Sequence, residues 1–158
     1  MEKNNFWQKL KKPFFVLAPM EDVTDFVFRE ILAEIAPPDV FFTEFTNANG
    51  LISAGKTEVL KRLKYSEKQR PIVAQIWGNN PQSMKEAAKI VQDLGFDGVD
   101  INMGCPDKSV VKIGAGSALI ENPDLAKELI EETRLGAPNI PLSIKTRIGF
   151  NNPKTQEW

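Results

Sequence analysis

Five short apolar runs, each separated from the next by room for a single helix, constrain this chain more than any other feature. They are residues 14–18, 39–44, 71–77, 96–101 and 141–146. Each has the length and β-branched or aromatic content of a buried strand. Between them lie helical patterns at residues 24–35 and, more weakly, 56–63. A third begins at Pro81 and carries Met84, Ala87, Ala88, Val91 and Leu94 at core-facing spacing until Gly95 closes it. A fourth starts at Asn122-Pro123, runs through Leu125, Leu129 and Ile130, and ends near Gly136. The order is βαβαβαβαβ, and crossover connections of this kind make the strands parallel.

An open doubly wound sheet and part of a closed β/α barrel both satisfy this alternation. No Gly-x-Gly-x-x-Gly or Walker loop follows the first run, which weakens a nucleotide-binding open sheet. Strands ending at Ala18, Glu44, Ile76, Asn102 and Thr146 would be five of a barrel's eight, and 158 residues fall short of the ~250 typical of a complete one. We therefore expect an α/β fold, the N-terminal part of a TIM (β/α)8-type barrel, over residues 1–158. The tail from Asn151 to Trp158 reads as the start of a sixth unit. The first and fifth strands would be unprotected edges, through which such a piece could self-associate.

Composition narrows the chemistry. A net charge of −1 gives no global pull toward nucleic acid or membranes. The charged first twelve residues do not resemble a secretory signal, and no apolar run nears the ~18 residues of a membrane span. One cysteine cannot form an internal disulfide, which suits a reducing cytoplasm. With no histidine in the chain, Ser-His and Cys-His catalysis are excluded, and one cysteine with scattered carboxylates argues against a metal site.

Catalytic groups of a β/α barrel gather at the C-terminal ends of its strands. Alternation along each strand puts Glu44, Gln75, Asn102 and Lys145 on one parity, with Arg147 just beyond. Polar residues ending several apolar strands point to a binding site; the plainer alternative is a solvated rim. Lys145 suits an electron-rich heterocycle or a phosphate, or else a salt bridge inside the barrel. Gln75 can both donate and accept, as reading an imide edge requires. Asn102 could do likewise or tie down its own loop, and Asp100, one layer deeper, reads as a structural hydrogen-bond partner. Cys105, between Gly104 and Pro106, is either a small buried hydrophobe or a reactive group. A thiol with no histidine beside it is mostly protonated at neutral pH, which favours proton donation over nucleophilic attack.

At these residues the chain resembles the tRNA-dihydrouridine synthase family. Ala18-Pro19-Met20-Glu21-Asp22-Val23-Thr24-Asp25 is similar to its first-strand motif, and Asn102-Met103-Gly104-Cys105-Pro106 to its catalytic loop. Gly116-Ser117-Ala118-Leu119 and Ile144-Lys145-Thr146-Arg147-Ile148-Gly149 follow in family order. The resemblance implies a TIM barrel carrying FMN at its C-terminal face, reduced by NADPH, that converts uridine of tRNA to 5,6-dihydrouridine. It implies that Cys105 protonates the base, that Pro19, Met20, Gln75 and Lys145 contact the flavin, and that Asn102 and Arg147, with Lys145, hold the uracil. The base would be extruded from its stack. The glycines around residues 114–116 would permit a mobile loop closing Cys105 over it, or else form an ordinary glycine turn.

A complete member of that family continues with further strands, a sixth-strand histidine, glycine-rich phosphate loops and a helical RNA-binding domain, none of which lies within these residues. Lys108, Lys112, Arg147 and Lys154 make only a thin basic patch. The expectation is a truncated form that alone binds FMN weakly and modifies little or no tRNA. Two alternatives stand beside it: another FMN barrel oxidoreductase acting on a small molecule, and a non-catalytic half-barrel remnant or assembly partner.

Overall fold

A computed structural model describes residues 5–151; the expected start of a sixth unit, Asn151 apart, and with it Lys154, lie outside the described residues. Within them, α1 spans Phe26–Ile35, β1 Phe41–Phe42, β2 Thr46–Asn47, α2 Ala48–Ile52 and α3 Lys56–Leu60. Then follow β3 (Ile72–Trp77), α4 (Pro81–Asp93), β4 (Gly98–Met103), α5 (Lys108–Lys112), α6 (Pro123–Gly136) and β5 (Leu142–Thr146). The strands form one parallel sheet in the order β1-β3-β4-β5, with β2 also pairing β3. This is a half-barrel of parallel strands with helices on the outside, the class of fold the alternation points to, although its five strand segments are not the five runs expected.

Local chemistry explains where the helices start. Asp25, Asn80 and Asn122 each accept a first-turn backbone N–H with the side chain, from Phe28, Ser83 and Leu125 respectively. Pro81 and Pro123 sit at the first helical position, where no N–H is needed. The stripe on α4 is buried at Met84, Ala87, Ala88 and Val91, whereas Leu94, expected on the same stripe, is exposed at the helix end. Helices α4 and α6 approach so closely that a Cβ on Gly136 would stand 2.1 Å from the Lys85 carbonyl oxygen. The weak helix expected at 56–63 divides into α3 and a 3₁₀ turn over Lys61–Leu63.

Two expected strands differ. Residues 14–18 form a single bridge, Val16 to Val40, secured by Leu17 N–H on the Val40 carbonyl at 3.0 Å. Pro13 and Pro19 bound this run without donors, and it pairs on one side only, so the ladder stops. The run at residues 39–44 holds only β1, and the strand resumes past the run's expected end as β2. The register changes between them, from Phe42 opposite Val73 to Thr46 opposite Ile76. Three residues therefore face two, which makes a β-bulge. The Thr43 hydroxyl fills the break, accepting the Gln75 N–H at 3.2 Å and donating to the Glu44 carbonyl.

The main core lies between the sheet and α4 and α6. A second, smaller cluster fills the inner face: an N-terminal 3₁₀ turn over Phe6–Lys9 lays Phe6 and Trp7, with Leu10, on Val40, Phe42 and Val73. Both flanks of the half-barrel are open among the described residues. On one, Phe15 is 74% exposed and α1 presents Val27, Ile31 and Ile35 to solvent. On the other, Ile144 of β5 is exposed beside an apolar groove of about 370 Å³ shared with α6.

Candidate active site

The parallel register aligns Gln75 with Asp100 and Ser143, and Asn102 with Lys145. A hydrogen-bonded chain crosses three strands as a result. Gln75 donates its amide N–H to Asp100 Oδ1 at 2.6 Å, Ser143 donates its hydroxyl to Asp100 Oδ2 at 2.6 Å, and Asn102 Nδ2 donates to Gln75 Oε1 at 3.2 Å. Burial pushes the Asp100 carboxyl up to about 6, against the opposing pull of Ser143, Gln75 and the Lys145 charge. Asp100 is thus the structural partner its depth in the strand suggested.

Asn102 turns the chain. Its side-chain oxygen accepts the backbone N–H of Gly104 at 3.0 Å and of Cys105 at 2.9 Å. Arg147 donates Nε–H to the Gly104 carbonyl at 2.5 Å, so the fifth strand's extension braces the same loop. Beneath it, Ser117 N–H donates to the Cys105 carbonyl at 2.9 Å. Gly116 has φ +60, and a Cβ there would sit 2.6 Å from that carbonyl oxygen. Only glycine fits this position. Residues 114–116, which the sequence offers as a mobile loop or a glycine turn, form a tight turn packed on the Cys105 backbone, with Ala115 buried and its N–H on the Val110 carbonyl.

The seven residues to which the resemblance gives a role, Pro19, Met20, Gln75, Asn102, Cys105, Lys145 and Arg147, line one cavity of about 210 Å³. Phe45, Gly104 and Pro106 complete its lining. Gln75 and Asn102 are buried, Cys105 is half-buried, and Lys145 and Arg147 are exposed. A second cavity of about 300 Å³ shares Pro19 and Lys145 with it and is lined also by Trp7, Phe42 and Asp100. Lys145 forms no ion pair among the described residues. The arrangement combines a cation, a thiol and amide groups with spare donors at the mouth of an apolar cleft. No cluster of three metal-ligating side chains occurs among the described residues, and no helix there is long and apolar enough to cross a membrane.

Glu44 is the exception to the parity argument. The bulge inserts one residue, so Phe45 lines the cavity beside Gln75. Glu44 lines a neighbouring polar cavity with Asp22, Asp25 and Arg62. Phe45 was not legible as a site residue, because a two-residue period carries no signal of a bulge.

The family model described as dihydrouridine synthase (Dus) matches residues 16–157. A probable tRNA-dihydrouridine synthase of Staphylococcus aureus (strain COL) is 49% identical over 157 residues, which are 99% of this chain and 47% of that protein. Probable tRNA-dihydrouridine synthase 2 of Bacillus subtilis (strain 168) is 49% identical over 155 residues, 98% of this chain and 46% of its own length. The chain spans about half the length of the curated relatives it matches.

Proposed function

The chain belongs to the dihydrouridine synthase family, and we propose that it carries the ring-facing half of an FMN-dependent catalytic site that reduces uridine in tRNA. One observation carries the reading: Cys105, Gln75, Lys145, Arg147, Pro19 and Met20, drawn from four separate stretches of sequence, meet around one cavity at the strand ends. The names of the relatives supply tRNA as the substrate class.

The donor set fits a flavin ring. Lys145 offers a cation without an ion-pair partner among the described residues, suited to an electron-rich ring. Gln75 is buried and uses one N–H and one lone pair within the sheet, which leaves another of each for an imide edge. When bound, FMN reduced by NADPH supplies the hydride for C6 of the uracil. The Cys105 thiol gives its proton to C5, so that the C5–C6 double bond becomes single. Asn102 holds the Cys105 loop through its oxygen and has one Nδ2 hydrogen left for the base. Arg147, anchored on Gly104 by Nε, keeps its terminal nitrogens for the substrate. The setting is the cytoplasm, where a lone thiol stays reduced.

The test is tRNA reduction in a complete relative carrying the change equivalent to Cys105→Ala. Loss of dihydrouridine with retained flavin reduction by NADPH supports the proton-donor role. Undiminished dihydrouridine refutes it.

A second reading is favoured by the exposed β5 edge and the apolar groove beside it: the chain self-associates as a half-barrel, two copies covering each other's open flanks. Sedimentation that gives a monomer at all concentrations contradicts it.

A further inference from the structure

Glu44 is buried, 5% exposed, and the bulge aims it away from the cavity that sequence parity assigned it. A buried carboxylate needs partners, and Glu44 finds them on the segment after residue 18. Its Oε1 accepts the Asp22 backbone N–H at 2.8 Å. Arg62 Nη1 lies 3.7 Å from the same oxygen while bonding Glu21 at 2.7 Å, and Nη2 lies 3.7 Å from Asp22.

The turn so held has an unusual shape. Asp22 is the single non-glycine residue at positive φ, +57, among the described residues, a conformation that persists only where its surroundings impose it. Met20 closes the turn with its carbonyl accepting the N–H groups of Val23 and Thr24, and with its own N–H on the Thr24 hydroxyl at 3.0 Å. Buried Arg29 secures the far end by donating Nη1–H to the Thr24 carbonyl at 2.5 Å. Pro19 and Met20, at the near end, form part of the wall of the Cys105 cavity.

We propose that Glu44 is a positioning residue: through the Asp22 N–H it clamps the 20–24 turn to the bulged strand and sets where Pro19 and Met20 stand against the cavity. That this wall meets a flavin rests on the function proposed above; the clamp itself does not. Glu44→Gln keeps an acceptor for Asp22, and Glu44→Ala removes it.

Hydrogen exchange on the flavin-free 158-residue chain reads the clamp. Glu44→Ala is expected to speed exchange at Asp22, Val23 and Thr24 at least tenfold, leave the amides of β3 and β4 unchanged, and be rescued by Glu44→Gln to within threefold of wild type. Unchanged exchange in Glu44→Ala, or loosening by Glu44→Gln equal to it, overturns the proposal. If Glu44→Ala unfolds the sheet, Glu44→Asp, which withdraws the carboxylate by one methylene, takes its place with the same two outcomes. FMN titration of the same proteins reads the consequence. Where wild type binds, Glu44→Ala is expected to weaken FMN at least tenfold and Glu44→Gln less than threefold; equal affinity of Glu44→Ala and wild type overturns the positioning role. Wild type that binds no FMN contradicts the flavin reading alone, and the exchange data still decide the clamp.

Discussion

The Asn102 side-chain oxygen accepts the backbone N–H of Cys105 at 2.9 Å, so the last-but-one residue of β4 also shapes the loop bearing the only thiol. Removing that acceptor in Asn102→Ala leaves two N–H groups, of Gly104 and Cys105, without their partner. A loss of about 1–2 kcal/mol is expected. Cys105 alkylation by iodoacetamide should accelerate well before the melting transition. An unchanged alkylation rate would mean the loop is held by other contacts.

Asp100 predicts an inverted pH dependence. Its carboxyl is raised in the folded chain to about 6 from the ordinary 3.8, because burial disfavours the charge. Between these values the native state holds more protons than the unfolded one, so stability falls as pH rises from about 4 to 6 and levels off above. The full contribution is of order 3 kcal/mol. In Asp100→Asn the oxygen still accepts from Gln75 and the new amide donates to a rotated Ser143 hydroxyl, so the sheet survives. Denaturant midpoints across this range should fall with pH in wild type more steeply than in the variant; parallel curves would contradict the assignment.

Two glycines in one turn separate space from conformation. Gly116 and Gly114 both have positive φ, but a Cβ at Gly114 meets nothing within 4 Å, whereas at Gly116 it strikes the Cys105 carbonyl. Gly114→Ala should cost about 1 kcal/mol from backbone conformation alone. Gly116→Ala should cost at least ~2 kcal/mol and displace the Cys105 loop. Similar melting temperatures for the two variants would show that the turn is not packed as described.

The open β5 edge carries its own prediction. Ile144 is 41% exposed there, and a lysine on an edge strand opposes pairing with another chain. Ile144→Lys should lower the sedimentation-average mass at high protein concentration and improve solubility. An unchanged mass distribution would place any self-association elsewhere.

The sequence disclosed the half-barrel and the membership of the cavity because both rest on strong signals. Apolar runs at crossover spacing leave few topologies, and the parallel register carries Gln75, Asn102 and Lys145 to one rim once their strands are paired. What it concealed was local. The bulge at residues 43–45 depends on a threonine hydroxyl substituting for a backbone acceptor, which no periodicity encodes, and so Glu44 was set facing the cavity in place of Phe45. The run at 14–18 has strand composition but lacks a second neighbour, so it pairs at Val16 alone. Gly116 leaves a mobile loop and an ordinary turn equally open in the sequence, because its role comes from contact with Cys105, eleven positions earlier in the chain.

The most direct test of the account is equilibrium titration of the 158-residue chain with FMN, followed through the flavin's visible absorption and fluorescence. The account predicts weak, saturable binding with a perturbed flavin spectrum, reduced about tenfold or more by Lys145→Met and unaffected by Lys127→Met on the outer helix. A well-folded wild-type chain that leaves the flavin spectrum unchanged at every concentration would contradict it.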